Sequence, residues 1–105
     1  MKAPVIRISI GKFDTDKTAL VEEKLVASRQ KLESGIRAMR GNLGFYAGVD
    51  RINHAMHNVS IWQTLDDAIQ LDTFAPMLAL AGEFNAAGVR FERPILNFET
   101  LWDLG

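Results

Sequence analysis

The chain has 105 residues, a length that suits one domain and is short for two. Hydrophobic residues make up 48% of it and charged residues 24%, an ordinary globular balance that excludes a disordered, collagenous or solenoid chain. With 12 basic and 13 acidic side chains and a formal charge of -1, it lacks the positive field that attracts a phosphate backbone, so no nucleic-acid partner is expected. Cysteine is absent, which excludes disulfides, thiolate catalysis and cysteine-held metals. Met1–Phe13 carries no apolar signal core, and no run approaches the ~18 apolar residues of a membrane span. The expectation is a single cytoplasmic domain over residues 1–105 with no membrane partner.

Pro4 to Ile10 reads as a first strand, ended by Gly11. Ile6, Ile8 and Ile10 alternate with Arg7 and Ser9, and β-branched residues suit a pleated surface. Asp14-Thr15-Asp16 supplies helix N-cap chemistry, and the stretch after it is helix-prone up to Arg40. Val21, Leu25, Ser28, Leu32, Ile36 and Met39 recur at steps of three and four, one apolar stripe of an amphipathic helix. The charges between them read as its solvated face, and Gly41 is the stop. Leu43 to Val49 is a second strand, Asp50 to Ala55 a turn, and Met56 to Trp62 a third strand, which together predict an antiparallel hairpin. Thr64-Leu65-Asp66-Asp67 is a capping-box variant with Asp in place of Glu or Gln. The helix it opens runs through Ala68, Ile69, Leu71 and Phe74, with a break or kink expected at Pro76. Helical spacing resumes over Met77, Leu78, Leu80, Ala81 and Phe84 and stops at Gly88. Pro94 permits only a strand start, so Ile95 to Trp102 is the fourth strand.

This β-α-β-β-α-β order predicts an α+β, ferredoxin-like fold: a four-stranded antiparallel sheet with both helices on one face. Alternation divides the strand residues into two sets. The first holds Ile6, Ile8, Ile10, Phe45, Val49, Val59, Ile61, Leu96 and Phe98. The second holds Val5, Arg7, Ser9, Tyr46, Met56, Asn58, Ser60, Trp62, Ile95 and Asn97. Neither is a plain wet face, although a sheet with one solvated side should alternate cleanly. A bare apolar face implies a partner surface, and pairing with an identical chain is the economical form of it, so a homodimer is expected.

Several residues have the chemistry of a small-molecule site. Trp62, at the end of the third strand, suits the wall of a pocket that stacks on a planar ligand, or packing at a strand end. Asn58 and Ser60 share its face and can orient a ligand oxygen, or face water. Arg7 can bind a carboxylate or phenolate bidentately, with Ser9 beside it; a structural ion pair with Glu99 or Asp50 is the alternative. Tyr46 can donate to a ligand or pack with its hydroxyl at a rim. Phe74, Met77 and Leu78 can roof an apolar cleft or belong to the core. His54 and His57 form His-x-x-His, a spacing that does not put both rings on one side of a strand, and no third ligand is evident, so no metal is expected. His57 alone can serve as a general base, the role an imidazole side chain most often takes, or it can be a structural residue beside Val59 and Ile61. No GxGxxG, phosphate-binding loop or Gly-x-Ser-x-Gly elbow occurs, so no nucleotide cofactor is expected.

The junction Ser60-Ile61-Trp62-Gln63-Thr64-Leu65-Asp66-Asp67-Ala68, with the entry Gly41-Asn42-Leu43-Gly44-Phe45-Tyr46, resembles the corresponding segments of the antibiotic-biosynthesis monooxygenase-like family. The resemblance covers nearly the whole chain through its element order. It implies a dimeric α/β barrel in which two ferredoxin-like protomers pair their sheets and each holds a small ligand between helices and sheet. Some members oxidise phenols or quinols with dioxygen and no cofactor; others degrade haem, isomerise, or handle small metabolites. Trp62 matches the family tryptophan that shapes the pocket. The polar first-strand residue of the oxygenases, often Asn, falls near Arg7 to Ser9, where no Asn stands. Haem-degrading members carry a ligating His on the second helix, and Ala68 to Ala87 contains no histidine.

The functional expectation is a cofactor-independent monooxygenase acting on a small aromatic or quinol-type substrate. In it Trp62 stacks, Arg7 holds the anion, Asn58 or His57 assists proton transfer, and Ser9, Tyr46, Phe74 and Met77 complete the binding surface. The alternatives are a non-catalytic dimer that binds a small molecule and a structural dimer whose core is filled and has no cleft.

Overall fold

The computed structural model describes residues 3–105. β1 (Val5–Lys12) is followed by a single 3-10 turn at Thr15–Lys17 and by α1 (Thr18–Arg37). Then come β2 (Asn42–Asp50), β3 (Ala55–Trp62), α2 (Leu65–Ala68), a 3-10 turn at Ile69–Thr73, α3 (Ala75–Ala86), β4 (Arg90–Phe91) and β5 (Leu96–Glu99). Every pairing is antiparallel, in the order β2-β3-β1-β4, with β5 also on β1. Because β3 occupies one side of β1 along its whole length, β4 and β5 share the other side. They are two pieces of one interrupted edge strand, β4 against Gly11 and Lys12 and β5 against Val5 to Ile8. The fold is the expected α+β, ferredoxin-like one.

The fourth strand departs most from its sequence reading. Ile95 to Trp102 was expected as one run, but pairing covers only Leu96–Glu99, and the separate β4 lies before Pro94. Proline has no N–H for the ladder, which leaves the edge in two pieces. β1 runs on past Gly11 to Lys12. At Gly11 a Cβ would lie 2.6 Å from Cγ1 of Val89, so the missing side chain admits the chain close against the strand rather than ending it.

α1 buries Val21, Ser28, Leu32 and Ile36, with Leu25 and Met39 partly covered, the stripe expected from spacing. It ends at Arg37 rather than Arg40. Met39 N donates to Ile36 O at 3.1 Å in a tightened last turn, and Gly41 takes φ 76°. The cap at Thr64 forms as read: its hydroxyl accepts from Asp67 N at 3.1 Å. The break in the following helix falls at Phe74, with φ -77° and ψ 105°, not at Pro76. Pro76 therefore stands in the first turn of α3, where its missing N–H has no partner to lose.

Register decides the faces. Arg7 opposes Ser60, Ser9 opposes Asn58 and Gly11 opposes Met56 across β1 and β3. Phe45, Ala47 and Val49 of β2 join them through Ser60, Asn58 and Met56. This face lies under the helices and contributes Val5, Met56 and Trp62 to a core completed by Phe13, Val21, Ile36, Leu71, Leu80, Phe84 and Val89. The opposite face carries Ile6, Ile8, Ile10, Tyr46, His57, Val59, Ile61, Leu96 and Phe98. The two sets read from sequence hold for β1, β3 and β5 and are exchanged for β2: Phe45 and Val49 belong under the helices, and Tyr46 belongs outside. Alternation fixes which residues of a strand share a side, but not which side. Here a register shift between Asn42 and Gly44 sets the phase.

Candidate functional site

α1, α3 and the covered sheet face enclose a cleft of ≈ 1040 Å³. Its size suits a small-molecule site and sets aside a filled core. Leu25, Leu32 and Ile36 line it from α1, and Met77, Leu78 and Phe84 from α3. The floor is polar where the strands bring Arg7, Ser9, Asn58 and Ser60 together.

Arg7 is the main charge on this floor. Its side chain is 5% exposed, and Nη2 donates to Oδ1 of Asp72 at 2.6 Å, while Asp72 is 53% exposed. The expected pairing with Glu99 or Asp50 is not formed. Asp50 accepts instead from Ile52 N, Asn53 N and Asn53 Nδ2, fixing its own turn. Arg7 uses one nitrogen on Asp72, and the fork retains donors for a second acceptor. Two residues along, Asn58 Oδ1 is buried without a hydrogen-bond partner. A buried unpaired amide oxygen is unfavourable by about 1–3 kcal/mol, so a donor on a bound molecule has a ready place there.

The rim is charged. Glu33 accepts from Arg29 at 3.0 Å and pairs with Arg37 at 2.8 Å, and the Arg29 hydrogen bond holds its carboxyl below the ordinary value. Arg51 grips Glu22 through two nitrogens, at 2.6 and 3.1 Å, and that hydrogen bonding lowers the Glu22 carboxyl likewise. Five arginines (7, 29, 37, 51 and 93) line the cleft against the carboxylates Glu22, Glu33 and Asp72. The cleft is therefore positive in a chain whose formal charge is -1, a field that favours anions.

Of the residues singled out from sequence, the structure brings Arg7, Ser9, Asn58, Ser60, Met77 and Leu78 to this cleft. Trp62 lies behind it, fully buried, with its indole N–H donating to Ser60 Oγ at 2.8 Å. It supports the floor and offers no ring surface for stacking. Phe74 packs over Gly35, within 2.5 Å of a Cβ placed there, and belongs to the covered interior rather than the cleft wall. Tyr46 and His57 stand on the opposite sheet face, Tyr46 against Val59 and His57 between Ile10 and Gly48. Neither side chain lines the cleft, so the geometry does not support Tyr46 as a ligand contact or His57 as its base. His54 lies in the turn before β3, its ring edge-on to Phe13. Among the described residues no group of three potential metal ligands occurs, and no histidine lines the cleft, so the donor set does not fit an axially ligated haem.

Asp72 is the site residue that sequence reading missed. It falls eight residues after the Thr64 cap in a run that reads as helix, where an acid looks like solvated surface. The 3-10 turn at Ile69–Thr73 aims it at Arg7 instead. The junction behind the site is held separately. Asp67, buried, accepts from Arg40 Nε at 2.5 Å, and Gln70 Nε2 donates to Arg40 O at 2.8 Å. A Cβ on Gly41 would collide with the Asp67 carboxylate.

No protein-family profile and no curated protein matches the chain. Solved structures do match. A Nitrosomonas europaea protein provisionally named an antibiotic biosynthesis monooxygenase superposes with a TM-score of 0.71 at 21% identity, over 100% of this chain and 97% of that one. The Mycobacterium tuberculosis heme-degrader MhuD, with two hemes bound in its active site, gives 0.69 at 17%, over 96% and 99%. Hydroxynitrile lyase from Passiflora edulis gives 0.66 at 14%, over 100% of each chain. At these identities the likeness is one of fold, and it spans proteins with different chemistry. The chain has the ferredoxin-like fold of the antibiotic biosynthesis monooxygenase structures, as the Trp62 junction led us to expect.

Proposed function

We propose that the protein is a cofactor-independent monooxygenase-like enzyme whose substrate is a small aromatic of the phenol or quinol type. The observation that carries this reading is the pairing of an apolar-walled cleft with a buried arginine and an unpartnered amide oxygen on its floor. The aromatic body fits between Leu32 and Ile36 on one side and Met77 and Leu78 on the other. Its ionised oxygen faces Arg7, and a second hydroxyl donates to Asn58 Oδ1. The substrate binds as the anion it has already formed in solution and passes one electron to dioxygen held beside it. The resulting radical and superoxide couple to a peroxide, which takes up a solvent proton and loses the second oxygen atom as water, leaving a new carbonyl. Arg7 stabilises the anion, Ser9 and Asn58 orient it, and the apolar walls exclude water from the radical pair. Trp62 keeps the floor in place through Ser60. The outward sheet face, with Ile6, Ile8, Ile10, Val59 and Ile61, is the surface on which we propose that two chains pair.

Oxygen consumption with a panel of anthrols and quinols tests the reaction. Uptake that depends on protein and is lost in Arg7→Gln is expected. Tight binding without uptake across the panel would replace the enzyme with the non-catalytic binding dimer.

A further inference from the structure

The Arg7–Asp72 pair has an unusual division of burial. The guanidinium is enclosed at 5% exposure, while its partner reaches it from a half-open position at 53% exposure. An enclosed arginine whose counter-ion comes from the surface is already an anion site, occupied by the protein's own carboxylate. Asp72 is held there by a 3-10 turn, not by a long helix or a strand, and one carboxylate oxygen makes the bond. Arg7 itself lines a cleft in which arginines outnumber carboxylates.

We infer that Asp72 is the resident occupant of an anion subsite at Arg7, and that an aromatic ligand enters by exchanging its own anionic group for Asp72. This rests on the proposed aromatic cleft and adds a selection rule to it: the ligand binds as an anion. A carboxylate or phenolate can take the guanidinium bidentately, and it leaves no buried charge unpaired. The displaced Asp72 turns to water at little cost because it is already half solvated. A neutral isostere has nothing to offer Arg7 and leaves the internal pair in place, so it gains only from the apolar walls. Asp72 therefore determines specificity by competition. It stops the buried arginine from being an indiscriminate sink for small inorganic anions, which cannot recover the loss of the internal pair through wall contacts.

The test uses two fluorescent probes of nearly equal shape, anthracene-9-carboxylate and anthracene-9-carboxamide, titrated against the full chain at low ionic strength. In Asp72→Asn the carboxylate is expected to bind about tenfold tighter than in the native protein, and the amide with less than about twofold change. In Arg7→Gln the carboxylate is expected to lose at least about tenfold, with the amide again nearly unchanged. Far-UV circular dichroism and thermal unfolding establish that each variant is folded, and Asp72→Ser serves as a second carboxylate-free variant. Unchanged or weaker carboxylate binding in both Asp72 variants overturns the inference, because Asp72 would then be holding Arg7 in place rather than competing for it. Equal affinity for the two probes in every variant also overturns it, while leaving an aromatic cleft. Failure of both probes to bind the native chain and both Asp72 variants alike overturns the cleft reading itself, and this inference with it.

Discussion

Asp67 and Asp72 lie five residues apart and both face an arginine, yet they do opposite things. Asp67 is buried under the Trp62 junction, where the Arg40 hydrogen bond, assisted by Thr64, holds its carboxyl below the ordinary value of 3.8. Its charged form is thus favoured in the folded chain. That contribution is complete above the unfolded value and disappears as pH falls through the lower, folded one. Urea unfolding of the native chain and of Asp67→Asn should therefore differ most near neutral pH, and the gap should close as the solution is acidified below 3.8. A gap that widens toward acid would contradict the sign. Thr64 and its cap were legible in the sequence because capping is local, spanning three residues. The Arg7–Asp72 pair was not, because its partners are 65 residues apart and nothing in the local pattern around Arg7 favours Asp72 over Glu99 or Asp50.

Among the elements, α1 was legible in both extent and facing, whereas β2 was legible in extent but not in which side it turns to the helices. The α1 stripe has one solution, because residues three and four apart must share a side. A strand has two equivalent sides, and β2 offers apolar residues on both, with Phe45 and Val49 on one and Tyr46 on the other. Only its pairing with β3 separates them. The same limit removed His57 from the site, since the side of β3 that faces the cleft is decided by the helices and not by β3 itself. Pro76 shows a different limit. Proline announces a break without saying on which side of it the chain bends, and here the break precedes it at Phe74. With Pro76 in the first turn of α3, Pro76→Ala restores no helical hydrogen bond and loosens the unfolded chain. It should lower stability by about 0.4–1 kcal/mol, measured by chemical denaturation. A mid-helix kink would instead predict a substantial gain on removing the proline.

Over the whole molecule, the outward sheet face and the cleft are separable, because the cleft is bounded by α1, α3 and the covered face of a single chain. The outward face is apolar along two adjoining rows: Ile8 sits between Val59 and Leu96, and Ile6 between Ile61 and Phe98. Tyr46 at 60%, Leu96 at 53% and Phe98 at 49% exposure leave large side chains in water. A monomer rarely keeps such a contiguous patch bare, and a two-fold axis would cover it with its own copy. Sedimentation at micromolar concentration should then give a particle of twice 11.7 kDa, and a thermal midpoint that rises with protein concentration. Ile8→Lys places a charge at the middle of the face without touching the cleft. It should shift the particle toward 11.7 kDa and lower the thermal midpoint. Anthracene-9-carboxylate should still bind to whatever fraction remains folded. A native chain that sediments at the single-chain mass with a concentration-independent midpoint would end the paired-sheet assembly. The Arg7 site would survive that result, since every residue proposed for it comes from one chain.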